Sequence, residues 1–216
     1  MYNFEKDITE GVKKYPTLKL VAERQVRGIF SASQKETGIV IEDYEVVIDF
    51  PAKYPYALPN VREVSNKIPK TIARHVFSEC GNLCFGNFID VAKVCLTGIS
   101  FIWFLENILN PHLCREYVKE VTGNYPTGER SHSSEGHWES YYDLLGTQDK
   151  EAILAEIKFT LQSPSLQRND QCRCGIGKKY KNCHLKIEKS ILEVGNKSLQ
   201  IIYEYLKLDF ETKKNN

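Results

Sequence analysis

Two short segments hold the side chains best able to do chemistry. HVFSECGNLCFG, residues 75–86, sets His75, Cys80 and Cys84 around the turn residue Gly81. CRCGIGKKYKNCH, residues 172–184, gathers Cys172, Cys174, Cys183 and His184. For Cys84 four roles are open: metal ligand, half of a disulfide, small buried apolar filler, or a nucleophile that reacts as its thiolate. The second segment is more definite. Three thiolates and one imidazole form the closed tetrahedral donor set of structural zinc, with no position left open for catalysis. Gly175 and Gly177 let the backbone fold back over such a metal, and Lys178, Lys179 and Lys181 lie near the negative charge of the thiolates.

The chain that must position these groups has 216 residues, enough for one full domain and a small appendage. Hydrophobic residues make up 42% and charged residues 26%, and the net charge is +1. No global field draws the protein to nucleic acid or to an acidic membrane. The first residues, MYNFEKDITEGVKKYP, contain no apolar core of a signal peptide. The longest apolar stretch, 99–109, includes Glu106 and is too short to span a bilayer. The expected location is the cytoplasm. There an odd count of seven cysteines argues for thiols, metal ligation or catalysis over disulfides.

Residues 18–50 read as β structure. LKLVAERQVRGIFSAS is one long β run, and GIVIEDYEVVIDF follows after the polar turn SQKETG, as in an antiparallel meander. FPAKYPYALP is a rigid loop, because Pro51, Pro55 and Pro59 cannot sit in a central strand. NVREVS is a further short strand. The helical period then takes over. Phe101, Phe104, Leu105, Ile108 and Leu109 share a face, with an interruption at Pro111 and Trp103 assigned to the core. HWESYYDLLG and DKEAILAEIKFTLQ are further helices, SPSLQRND is a link, and LKIEKSILEVGNKSLQIIYEYLKL is a final amphipathic helix. The expected fold class is α+β: an antiparallel meander of about four strands packed against helices, plus a small C-terminal zinc-binding element and helix.

Residues 172–184 closely resemble the SEC-C zinc motif, C-x-C-G-x-G-K-K-Y-K-x-C followed by Cys or His, and match each of its fixed positions. The resemblance implies structural Zn²⁺ on Cys172, Cys174, Cys183 and His184, and a protein-docking role. A second resemblance covers roughly residues 15–110. Phe50, Pro51, Tyr54, Pro55 and Pro59 match the F-P-x-x-Y-P-x-x-x-P stretch of ubiquitin-conjugating enzymes. Gly81, Leu83 and Cys84 match that family's G-x-[IL]-C active-site segment. The order of these motifs is similar to divergent bacterial members of the superfamily. What it implies is a ubiquitin-conjugating-enzyme-like catalytic domain over 1–160, a linker over 161–171, and the zinc motif with its helix over 172–210.

In such an enzyme Cys84 carries an acyl group as a thioester and passes it to an amine. The family's histidine-proline-asparagine triplet is absent. His75 is followed by Val76 and Phe77, and its role is open between donor to the thioester oxyanion and support of the loop. Asn82 and Asn87 are weaker candidates for the donor, and Asp90 for orienting a lysine. The implied partners are a protein acyl donor (a ubiquitin-like protein or a cGAS-like nucleotidyltransferase), an activating enzyme, and a protein target, in bacterial antiphage defence. Neither a membrane nor direct nucleic-acid binding is expected. The competing reading is a non-catalytic protein-binding module of the same fold with a zinc docking element. Cys80 reads as a non-catalytic thiol, and Cys95 and Cys114 as core. Glu129, His132, His137 and Trp138 read as part of a loop packed over the core.

Overall fold

A computed structural model describes residues 2–86, 88–126, 134–162 and 166–214. Of the candidate side chains, Asn87, Glu129 and His132 lie outside the described residues. The architecture is α+β, with one four-stranded antiparallel sheet in the order β1-β2-β3-β4. The chain divides into two compact units, Met1–Gly86 with Thr97–Glu129, and Asn87–Leu96 with Arg130–Asn216. Residues 134–162 fall in the same unit as the cysteine-rich segment.

The first unit begins with helix α1 (Phe4–Lys14), which the sequence reading had not assigned. Asn3 caps it by accepting from the Lys6 N–H at 2.9 Å. The strands are β1 (Leu18–Ala22), β2 (Gln25–Ser33), β3 (Val40–Asp49) and β4 (Asn60–Glu63). Val26 stands opposite Ile48, and Ile48 opposite Val61, so one fully buried apolar row crosses three strands. The expected single run over 18–33 is two strands. Arg24 closes the turn between them, donating to the Phe50 and Pro51 carbonyls at 2.9 and 2.7 Å and stacking over Phe4. Those partners are distant in sequence, so no local turn signature announces the break.

The proline-rich loop folds onto this unit through Phe50 and Tyr54, both buried, with Phe50 edge-on to Phe101 at 5.1 Å. The Asp7 carboxylate binds it from α1, accepting from the Tyr54 hydroxyl at 2.7 Å and the Phe101 N–H at 3.0 Å. That N–H opens α3 (Phe101–Phe104), where a negative charge complements the helix dipole.

The helix does not stop at Pro111. It runs from α3 through a wide π turn (Leu105–Leu109) into α4 (Asn110–Thr122). Proline lacks an N–H and crowds the carbonyl four residues back, and the wider turn relieves both. Phe101, Phe104, Leu105, Leu109 and Leu113 are fully buried. Trp103 is not core as expected, since it is 38% exposed on the opposite face. Asn110 fastens α4 to the end of β2, exchanging two 2.9 Å hydrogen bonds with the Ser33 backbone.

The second unit comprises α2 (Phe88–Cys95), α5 (Ser134–Leu145), α6 (Lys150–Gln162), α7 (Leu185–Leu192) and α8 (Asn196–Lys214). Trp138, Ile153, Ile157, Leu199 and Leu206 form its core. His137 and Trp138 lie on α5 rather than in a loop. The Trp138 indole N–H donates to Asp209 at 2.8 Å. The expected single terminal helix is broken at Gly195, whose φ of 78° a side chain would strain. Among the described residues no helix is long and apolar enough to cross a membrane.

Candidate functional site

The Cys84 segment is a short antiparallel turn in the first unit. Val76 bridges Leu83, and Asn82 bridges Arg62 of β4. The Phe77 N–H donates to the Asn82 carbonyl at 2.9 Å, and the Gly81 N–H to the Phe77 carbonyl at 2.7 Å. Gly81 holds φ 72°, a left-handed conformation open to glycine at little cost. Leu83 is buried, and its N–H donates to the Val61 carbonyl at 2.7 Å. The turn is thus sewn to the sheet by its backbone, and the next residue, Cys84, stands half-buried at the end of the bridge.

His75 and Cys84 face each other across this bridge. The Cys84 N–H donates to the His75 carbonyl at 2.6 Å, while the Cys84 Sγ lies 3.8 Å from the Gly86 carbonyl oxygen. His75 itself has φ 50°, uncommon for a residue with a side chain, and caps a short 3₁₀ turn (Ile72–Arg74). Backbone hydrogen bonding thus places His75 beside Cys84, whatever further part its imidazole plays. The ring sits 5.3 Å from that of Tyr125 and 6.3 Å from that of His112.

Behind His75 lies a charged network absent from the sequence reading. Arg74 donates to Glu116 at 2.9 Å and to Glu120 at 2.7 Å, and the Tyr125 hydroxyl donates to Glu116. Burial raises the Glu116 carboxyl above its ordinary range, against the lowering effect of Tyr125 and Arg74. His112, on α4, is driven down to about 3 by burial, with His75 and Arg115 adding to the effect. Cys80 is exposed, Cys95 is buried as expected, and Cys114 is half-buried with its thiol donating to the Ser33 carbonyl. Asp90 lies on α2 in the second unit, where it lines a cleft of about 260 Å³ with Lys93, Ser140 and Tyr141.

The four C-terminal candidates come together in the second unit. The ligand atoms of Cys172, Cys174, Cys183 and His184 all lie within 4.8 Å of one another, and the group could hold a metal ion. His184 Nδ1 is 3.1 Å from the sulfurs of Cys172 and Cys183, and the Cys174 and Cys183 sulfurs are 3.5 Å apart. Tetrahedral zinc with bonds of about 2.3 Å separates its sulfurs by roughly 3.8 Å, so this donor set fits such an ion. A hairpin builds it. Cys172 N–H donates to the Lys178 carbonyl at 2.8 Å and Tyr180 N–H to the Asp170 carbonyl at 2.8 Å. Gly175 and Gly177 turn its tip with φ 74° and 76°.

Although burial opposes it, backbone N–H groups of Cys174 and His184 pull the Cys172 thiol down to about 6. Burial and the neighbouring Cys174 and Cys172 sulfurs push Cys183 up to about 12. The Cys172 thiolate therefore forms readily, and that of Cys183 needs a cation to offset its charge. The sequence reading also missed what fastens the hairpin. Arg173 pairs with Glu156 of α6 and with Glu188 of α7, the latter at 3.0 Å, and stacks 3.6 Å over Phe159. The Tyr180 hydroxyl donates to Glu188.

The structure thus defines an α+β protein with a bridged cysteine turn in one unit and a Cys₃His cluster in the other. No protein-family profile matches the chain, and no solved structure matches it. Partial similarity is found to protein translocase subunit SecA. The chain is 41% identical over 51 residues to SecA of Bordetella petrii, which is 24% of this chain and 6% of that protein. It is 59% identical over 27 residues to SecA of Francisella tularensis subsp. tularensis, 12% of this chain and 3% of that one. It is 29% identical over 105 residues to SecA of Cupriavidus pinatubonensis, 48% of this chain and 11% of that one. The chain thus spans about a tenth or less of the relatives it matches. Matches this short fit a shared small element of the SEC-C kind rather than a shared whole protein.

Proposed function

We propose that the protein is a ubiquitin-conjugating-like acyltransferase that carries an acyl group as a thioester on Cys84 and delivers it to an amine. One observation carries this reading. Cys84 is half-buried at the end of a turn whose neighbours are fixed by hydrogen bonds from Leu83 to Val61 and from Cys84 to the His75 carbonyl. Transthiolation needs a reachable sulfur on a rigid backbone more than it needs an adjacent strong base. The motifs around Phe50–Pro59 and Gly81–Cys84 support the same class, and with it a protein acyl donor and a protein target in bacterial defence.

In this reading the second unit holds structural Zn²⁺ on Cys172, Cys174, Cys183 and His184 and serves as a docking element. The ion would supply charge neutralisation and a crosslink, with no coordination position free for catalysis. The partial likeness to SecA supports a SEC-C-like element here.

The test is an adduct at residue 84. Purified from its native host under acidic, non-reducing conditions, the wild-type chain is expected to carry a protein adduct that thiol reagents release. The Cys84→Ser variant should carry it as a thiol-resistant ester, and Cys84→Lys as an amide, each mapped to that position by mass spectrometry. An adduct that persists in Cys84→Ala, or that never forms in the trapping variants, refutes the assignment. Metal analysis should find about one zinc per chain, lost in Cys174→Ser.

A further inference from the structure

The cysteine turn has a second neighbour that the motifs do not include. His112 lies on α4, one residue after Pro111 and thirty-seven beyond His75 in sequence. Its ring meets the Phe85 ring edge-on at 5.2 Å and the His75 ring at 6.3 Å, with interplanar angles of 75° in both cases. Phe85 directly follows Cys84, and His75 accepts the hydrogen bond of the Cys84 amide. The residues that bracket Cys84 are therefore joined through one imidazole. Phe85 in turn packs on the buried Phe104 at 5.5 Å, which fixes the far side of the cluster to the helix core.

We propose that His112 is a positioning residue for Cys84, its flat ring holding Phe85 and His75 apart and so setting how far the thiol stands out from the turn. The inference rests on the reading of Cys84 as the reactive thiol. Three features support it. The wide π turn over Leu105–Leu109 precedes His112 by less than one helical turn, and such turns concentrate at functional sites. Burial keeps the ring uncharged across the physiological range. Its Nε2 is also buried without a hydrogen-bond partner among the described residues, an arrangement that packing alone does not favour.

Without the ring, the turn would relax into the space left behind, since cores collapse partly around a deletion. Phe85 would move inward and draw Cys84 with it. The experiment uses the full chain and iodoacetamide as probe, with alkylation at Cys84 and Cys80 followed by peptide mass spectrometry. Cys80 is exposed on the same turn and serves as the internal reference. In His112→Ala the Cys84/Cys80 rate ratio is expected to fall about fivefold, the scale of a change near 1 kcal/mol. In His112→Phe, which retains a flat ring, it should stay within about twofold of wild type at an equal or higher melting temperature.

If His112→Ala does not fold, His112→Leu preserves apolar volume without the flat ring and carries the same expectation. An unchanged ratio in a folded His112→Ala or His112→Leu overturns the proposal, as does a fall in His112→Phe as large as in the aliphatic variant. The readout needs no acyl donor. Failure of the adduct test with a shifted ratio leaves His112 as a positioning residue for a thiol of other use, whereas an adduct with an unshifted ratio removes His112 alone.

Discussion

Arg74→Met tests whether the turn that supports Cys84 depends on a buried ion pair. The Arg74 side chain is 13% exposed and its partner Glu116 only 1%. The guanidinium donates to the Glu116 carboxylate at 2.9 Å, to the Glu116 backbone carbonyl at 3.3 Å and to the more exposed Glu120 at 2.7 Å. Methionine keeps the stem but leaves a buried carboxylate with the Tyr125 hydroxyl as its donor. Breaking a buried pair from one side costs about 3–5 kcal/mol, a large share of a typical domain stability of about 5–15 kcal/mol. The protein can escape part of this by protonating Glu116. Burial already raises that group, and Arg74 is one of the influences that lower it, so its removal raises the folded-state pKa further.

A carboxyl whose folded pKa exceeds its unfolded value favours folding below the unfolded pKa and loses that advantage as pH rises through the folded pKa. The penalty of Arg74→Met should therefore be smallest near pH 4.5, the ordinary value of the group, and grow toward neutral pH. Hydrogen exchange of peptides from α4, measured along urea titrations at pH 5 and pH 7.5, reads the stability of this unit. Arg74→Met/Glu116→Met removes both charges and should recover most of the loss, apart from about 1 kcal/mol for the stranded Tyr125 hydroxyl. A cost below about 1 kcal/mol, equal at both pH values and not rescued by the double variant, would refute the reasoning.

Three other outcomes follow from the packing. In Gly11→Ala the new methyl would stand 2.2 Å from Cδ1 of the buried Phe101, so the overpacking cost of about 1–3 kcal/mol should outweigh the gain in helix propensity and lower the melting temperature. Trp138→Phe removes the indole donor from Asp209, which keeps Lys213 at 3.2 Å, and should cost about 1 kcal/mol in thermal or urea unfolding, more than Trp103→Phe at the exposed position. Chelation of the intact protein should open Cys172, Cys174 and Cys183 to alkylation and abolish exchange protection over 170–184, while the β2–β3 pairing retains its protection; equal loss in both regions would contradict an independent metal-held hairpin.

The parts of the molecule that were legible in its sequence are those specified locally. Alternating Val26, Phe30 and Ala32 mark the inward face of β2, and the prolines at 51, 55 and 59 mark a loop, because period and backbone restriction are properties of the segment itself. The Cys₃His spacing identifies a cluster because its ligands close over a thirteen-residue hairpin. Features set by distant partners were not legible. The break at Arg24 depends on Phe50 and Pro51, and the passage of the helix through Pro111 depends on a π turn whose Leu105 and Leu109 are fully buried. The exposure of Trp103 follows from which helical face meets the core, and hydrophobicity alone mis-assigned it. His112 and Glu116 reach the Cys84 turn by tertiary packing, with no motif to announce them.

Arg173 explains how a Cys₃His cluster too small to have a core can belong to a larger fold. It lies between two ligands, Cys172 and Cys174, whose sulfurs join the cluster. Its own side chain instead meets Glu156, Glu188 and Phe159. The same short backbone therefore holds the donor set on one side and an ion pair to two helices on the other. Tyr180 repeats the arrangement, since its hydroxyl joins Glu188 while its carbonyl receives the N–H of the ligand Cys183. Closing the donor set orders the hairpin backbone, and an ordered backbone holds the guanidinium against the nearly buried Glu188. Opening it would loosen Arg173 and leave Glu188 short of a counter-charge, a cost that falls on α7 as well as on the hairpin. Order in the donor set and packing of the helical unit are in this way linked through one residue that is not itself a member of the set.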